Sequence, residues 1–227
     1  MTWLALPNLV IAAPVNANNY DSFWLWSGVK TQKVLQKAKT VYLLNGQIEA
    51  GRNVVLTAQR PATPHVKNAK VWIVYRVATL TWTPKIYDQI NAHIKKWRAA
   101  GNDVVGIQID FDAKTARLGE YARFLKGLRT HLPANCKLGV TGLMDWGANA
   151  NAEDLIMLSG VVDELIIQTY QGRHTIPNYQ NYFTNINRIK IPFHIGIIQN
   201  GEWEEPIGLS QNPNFKGYVV FLQNGVN

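Results

Sequence analysis

Two carboxylates and an amide stand at alternate positions in the run Val104–Ala113, which reads Val-Val-Gly-Ile-Gln-Ile-Asp-Phe-Asp-Ala. Side chains alternate along a strand, so Gln108, Asp110 and Asp112 share one face while Ile107, Ile109 and Phe111 take the other. Acids closing an otherwise apolar strand are costly unless they are paired or used. A helical stretch follows, so the acids stand at the carboxyl end of a βα unit, where barrel enzymes place their chemistry.

More polar groups close other strand-like runs. Val74-Tyr75-Arg76 sets Arg76 near the acids, as their ionic partner or as a substrate anchor. Ile167-Gln168-Thr169-Tyr170 adds Gln168 and Tyr170, and Leu143-Met144-Asp145-Trp146 adds an indole. Ile198-Gln199-Asn200-Gly201-Glu202-Trp203 brings Glu202, a second carboxyl expected across the mouth from Asp112. Carboxyls about 5–5.5 Å apart suit a retaining glycosidase and about 6.5–9.5 Å an inverting one. Each residue also has a plainer reading. The acids can bond Arg76 inside the fold, Gln108 and Gln168 can belong to a buried network, and Trp146 and Tyr170 can be core. Asp145 can cap a helix, and Glu202 can stabilise a helix start.

The elements that must position these groups alternate in type. Apolar runs at 23–27, 40–45, 70–78, 104–111, 137–143, 164–170, 193–199 and 217–223 predict eight strands. Helical patterns fall at 31–38, 84–100, 115–131, 152–159 and 178–189, with a weak one near 204–209. The helix from Pro84 has Thr83 to cap it, proline at its first turn and Gly101 after its last. Strands alternating with helices imply a parallel sheet with crossover helices. The economical closure is an α/β (β/α)8 TIM-like barrel, compact and irregular at two places. At the second crossover 53–57 reads as an extra strand, and no helix follows the last strand. An open doubly wound sheet is the other fold. One domain is expected over residues 21–227, behind an N-terminal segment of residues 1–20.

Composition narrows the class. The chain has 227 residues, 47% hydrophobic and 17% charged, which marks a folded protein with a real core. Eight Trp and nine Tyr suit either core packing or a sugar cleft, where flat rings stack on pyranose faces. The net charge of +8 is spread over helix exteriors rather than gathered in a basic block, so nucleic acid is not the expected partner. Long-range attraction to an anionic polysaccharide or envelope remains open. A single cysteine, Cys136, excludes a disulfide framework and is expected to be inert. No histidine pair has metal spacing and no phosphate loop is present, so neither metal nor cofactor is expected. Leu4 to Ala13 is apolar, and Val15-Asn16-Ala17 resembles a signal-peptide ending. With no Lys or Arg ahead of it, and broken by Pro7 and Asn8, it reads equally as an ordinary first segment. The leader reading implies a periplasmic or secreted protein. The stretch is too short to span a membrane.

The fourth-strand segment resembles the Asp-Gly-x-Asp-x-Asp-x-Glu signature of family 18 chitinase-like hydrolases. Gly106 and Asp110 match it; Val105, Gln108 and Asp112 stand where that family has Asp, Asp and Glu. Of that family's strand-six Met-x-Tyr-Asp, only Tyr170 is kept. The chain also resembles a bacterial family, domain of unknown function 3142. That likeness is carried by Gln108–Asp112, Leu132-Pro133 and Leu143–Trp146. The resemblance implies cleavage of a glycosidic bond in a polysaccharide, with Asp112 as general acid and Asp110 raising its pKa. It implies Tyr170 holding a sugar acetamide, and Trp146 or Trp203 flooring a subsite. Aspartate is one methylene shorter than glutamate, and a misplacement of about 1 Å can cost on the order of a hundredfold in rate. A non-catalytic carbohydrate-binding barrel and an envelope scaffold with structural acids are the alternatives.

Overall fold

The computed structural model describes residues 12–60 and 62–225. All eight expected strands form: β1 Ser22–Leu25, β2 Thr40–Glu49, β3 Lys70–Val77, β4 Asp103–Asp110, β5 Lys137–Leu143, β6 Glu164–Gln168, β7 Phe193–Ile198 and β8 Phe215–Phe221. They pair in parallel and in sequence, and β8 returns to β1 to close the barrel. The open-sheet alternative is thereby excluded.

Only part of the outer layer is α-helical. The helices are α1 Pro84–Ala99, α2 Leu118–His131, the short α3 Trp146–Asn149 and α4 Ala152–Ser159. Residues Lys33–Lys37 and Tyr179–Arg188 are 3-10 turns rather than the expected α-helices. The second begins after Asn178 at φ +56° and is kinked at Asn185. Asparagine competes for backbone hydrogen bonds, which explains the failure. No helix forms at 204–209, where Gly208 at φ +80° turns the chain. The extra strand is real: Val55–Ala58 pairs antiparallel with β2 in place of a second crossover helix. Thr83 occupies the position before α1, but its side chain makes no capping bond.

The leader-like stretch lies outside the described residues as far as residue 11. From there the first segment packs on the barrel: Ala13–Pro14 pairs antiparallel with Glu202–Trp203, and Val15 and Ala17 are buried. No helix among the described residues is long and apolar enough to cross a membrane.

The barrel interior is filled by aromatic side chains set against glycines. Trp24, Tyr42, Leu44, Trp72, Val74, Ile166 and Val219 form the inner cluster. A Cβ on Gly106 would stand 2.2 Å from the Lys137 carbonyl and 2.8 Å from the Trp72 ring. A Cβ on Gly196 would stand 2.7 Å from the Trp24 ring. Large rings opposite bare backbone close the shaft to solvent, as small barrels require. The outer faces of the same strands, such as Ile73, Ile107, Ile109 and Val140, pack under the helices with Ile90, Ile94, Tyr121 and Leu125. Gln108 puts an amide inside this shaft, beside the Trp24 indole.

Candidate active site

At the carboxyl ends of the strands lies a cavity of about 390 Å³. Trp26, Arg76, Asp110, Asp112, Gln168, Tyr170 and Phe221 line it, with Gln171 and Gly172. Four of the residues expected in a substrate site, Arg76, Asp110, Asp112 and Gln168, therefore meet here with Tyr170. The reason is strand alternation: positions 76, 110 and 168 each continue the inward face of their strand.

Asp110 is the buried member. It lies at the end of β4, beside Arg76 in the register of β3, and its Oδ1 accepts a hydrogen bond of 3.0 Å from the Thr141 hydroxyl. Burial pushes its carboxyl up to about 6; the Thr141 bond opposes this, the Asp112 charge adds to it and the Arg76 charge eases it. Asp112 itself follows the strand end and is exposed, facing the cavity. Arg76 is exposed and within ion-pair distance of neither acid among the described residues, so the internal Arg76 pairing is not formed.

Below Asp110, Gln108 is fully buried and accepts a 2.7 Å hydrogen bond from the Trp24 indole, while its Nε2 has no partner. It thus belongs to the interior network rather than to the cavity wall. The Tyr170 hydroxyl is also buried and without a hydrogen-bond partner. Burial and the Asp110 charge push it well above the ordinary tyrosine range against the easing effect of the Gln168 amide nearby, so it stays protonated. Its oxygen is closed to solvent with hydrogen-bonding capacity unspent.

Three expected members are elsewhere. Trp146 is fully buried; its indole donates to the Ala113 carbonyl at 3.1 Å, and its ring meets Tyr121 edge-on. It fixes the loop after β4 from behind and cannot floor a subsite. Trp203 is buried against Tyr179, stacked at 4.6 Å. Glu202 is exposed on the strand that pairs with Ala13–Pro14 and does not line the cavity, so it forms no carboxyl pair with Asp112 there. Asp145 stands before α3 but accepts a hydrogen bond from the Thr115 hydroxyl instead of capping. Sequence reasoning missed Trp26, Phe221 and Thr141. Trp26 and Phe221 are two positions beyond Trp24 and Val219 on inward faces, so the alternation that found Asp110 would have found them.

Among the described residues no three His, Cys, Asp or Glu side chains converge to hold a metal. A larger hollow of about 940 Å³ opens at the opposite end, between Asp21, Lys39, His65, Lys67 and Asp103. It receives none of the partnerless buried groups found at the carboxyl end.

The fold is that of the chitinase-like barrels. The chitinase domain of the spore coat protein CotE from Clostridium difficile superposes with a TM-score of 0.53 at 15% identity, covering 87% of this chain and 70% of that one. The xylanase and α-amylase inhibitor protein XAIP-II from Scadoxus multiflorus gives 0.54 at 10% identity, covering 88% and 92%. The tamarind chitinase-like lectin gives 0.52 at 12%, covering 89% and 94%. Residues 70–177 match the model of a family described as Domain of unknown function (DUF3142), which bears out the resemblance over β3 to β6. A comparison with curated proteins finds no match.

Proposed function

We propose that this barrel cleaves a polysaccharide at its carboxyl-end mouth, with Asp112 as general acid. The observation that carries the proposal is the pairing of a buried carboxyl pushed up to about 6, Asp110, with an exposed one, Asp112, on one open cavity. Asp110 holds a proton up to mildly acidic pH and can pass it to Asp112, the carboxyl that faces the cavity.

In this reading the sugar sits over Asp110 with its glycosidic oxygen toward Asp112. Asp112 gives its proton to that oxygen as the bond to the anomeric carbon breaks. The substrate's acetamide oxygen attacks the anomeric carbon, so no second enzyme nucleophile is required. Water then opens the cyclic intermediate and returns a proton to Asp112. Asp110 supplies the pair's second proton site, and the free Tyr170 hydroxyl binds the acetamide. Trp26 and Phe221 offer apolar ring surface to the sugar.

The test is release of reducing ends from N-acetylglucosamine oligomers by wild type and Asp112→Asn. Release by wild type, lost in the variant while the oligomer still binds, is the expected result. Binding by both with no release by wild type would leave a lectin-like barrel and overturn the enzyme.

A further inference from the structure

A second groove, of about 1130 Å³, opens where the ends of β7 and β8 meet the loop after β1. It adjoins the mouth: Arg173, next to the mouth residue Gly172, donates from Nε to the Gln223 Oε1 of the groove at 2.8 Å. Its walls come from distant parts of the chain locked together by amides. The side chains of Gln32 and Gln199 bond each other reciprocally at 3.1 and 2.9 Å. Gln32 Nε2 also reaches the Gln223 carbonyl at 2.8 Å, and Gln199 Oε1 accepts from the Gln223 backbone at 3.0 Å. Asn200, at φ +63°, turns the rim.

The interlocked glutamines keep hydrogen-bond donors to spare. Both glutamine oxygens of the Gln32–Gln199 pair are taken, and the Gln199 oxygen is taken twice. Gln199 Nε2 keeps an unused N–H, and so does Gln223 Nε2, which spends one bond on the Gln199 carbonyl. Lys30 and Lys33 are exposed on the wall and form no ion pair among the described residues. Among the described residues none that line it is acidic. Two ammonium groups and two spare amide N–H groups on one wall favour an anion.

We infer that this groove binds the carboxylate-bearing units of an acidic oligosaccharide whose chain continues into the mouth. The choice of a sugar chain over another polyanion rests on the glycan reading of the mouth. Amide N–H groups and the Thr31 hydroxyl meet sugar hydroxyls, and the two ammonium groups meet the carboxylates. The net charge of +8 draws such a chain from a distance.

The test titrates the full chain with oligogalacturonate, with N-acetylglucosamine oligomers of equal length and with oligoglutamate. Oligogalacturonate is expected to bind best. Its affinity should fall as salt rises from about 20 to about 200 mM, and by about tenfold in the Lys30→Gln/Lys33→Gln double variant. Both lysines are exposed, so the variant's unchanged melting temperature would show that the fold is intact. Release of reducing ends from short neutral N-acetylglucosamine oligomers by wild type reports on the mouth alone, which separates failure of the mouth from failure of the groove. Equal binding by the double variant, or oligoglutamate binding as tightly as oligogalacturonate, would overturn the inference.

Discussion

The two ends of the barrel shaft each hold a carboxyl whose titration burial displaces upward, and the one at the carboxyl end lines an open cavity. At the carboxyl end it is Asp110, pushed up to about 6. At the amino end it is Glu164, which burial pushes up to about 7 against the easing effects of the Tyr42 bond and the Lys137 charge. Glu164 accepts a 2.6 Å hydrogen bond from Tyr42, whose ring stacks on Trp72, and the His194 imidazole lies 3.8 Å away. Burial holds His194 down at about 4, so it is neutral at physiological pH. Glu164 is thus enclosed with its tyrosine already committed. Asp110 has an exposed carboxylate beside it, the Tyr170 phenol nearby and a cavity above. A displaced titration marks burial; a site also needs access and an uncommitted partner.

The largest effect expected to break this contrast is on rate. Asp112→Asn should lower hydrolysis on the order of a hundred- to ten-thousandfold, while Glu164→Gln leaves kcat and KM unchanged. An activity loss in Glu164→Gln with an intact fold would mean that the amino end reaches the chemistry.

The next effect is on stability against pH. Each raised carboxyl binds its proton more tightly folded than unfolded, so each lowers stability as pH rises. For Asp110 this runs from about 3.8 to about 6, and for Glu164 from about 4.5 to about 7. Above these windows each is expected to cost on the order of 3 kcal/mol. Asp110→Asn and Glu164→Gln should therefore each raise the melting temperature at pH 8 and do little at pH 3.5, as read by thermal denaturation across pH. Only Asp110→Asn should alter the pH–rate curve. Wild-type kcat/KM is expected to decline as pH rises through about 6, and the variant should lose that limb; a limb retained in Asp110→Asn assigns it to another group.

The smallest effect compares the two tyrosines. Tyr42→Phe strips Glu164 of its donor and should destabilise by about 1–2 kcal/mol. Tyr170→Phe removes a hydroxyl with no partner, so stability should hold or rise by up to about 1 kcal/mol while acetamido-sugar affinity falls. Denaturant titration with ligand binding on the same samples separates them. If both variants lose equal stability, the Tyr170 hydroxyl is not free.

Much of the mouth was legible from one dimension because it depends on strand alternation. Arg76, Asp110, Gln168 and Tyr170 face the same space since each lies on the inward parity of its strand. Trp146 was misread because its place depends on α3 folding behind β4, where the indole finds the Ala113 carbonyl. Glu202 was misread because its strand is captured by Ala13–Pro14, nearly the whole chain away in sequence. The 3-10 turns at Lys33–Lys37 and Tyr179–Arg188 show the same limit for helices, since periodicity marks a buried stripe without fixing the hydrogen-bond pattern.

By itself the sequence determined the eight-strand alternation, a parallel sheet with crossovers and the strand end where Asp110 and Asp112 lie, while closure of the sheet was decided by the pairing of β8 with β1. These follow from local period and from the constraint that parallel strands need crossovers. Only the tertiary structure decided that Asp110 is buried and Asp112 open, that Gln108 serves Trp24, and that Tyr170 stands unpartnered. Access and partnership are set by contacts between residues far apart in the chain, and no local pattern encodes them.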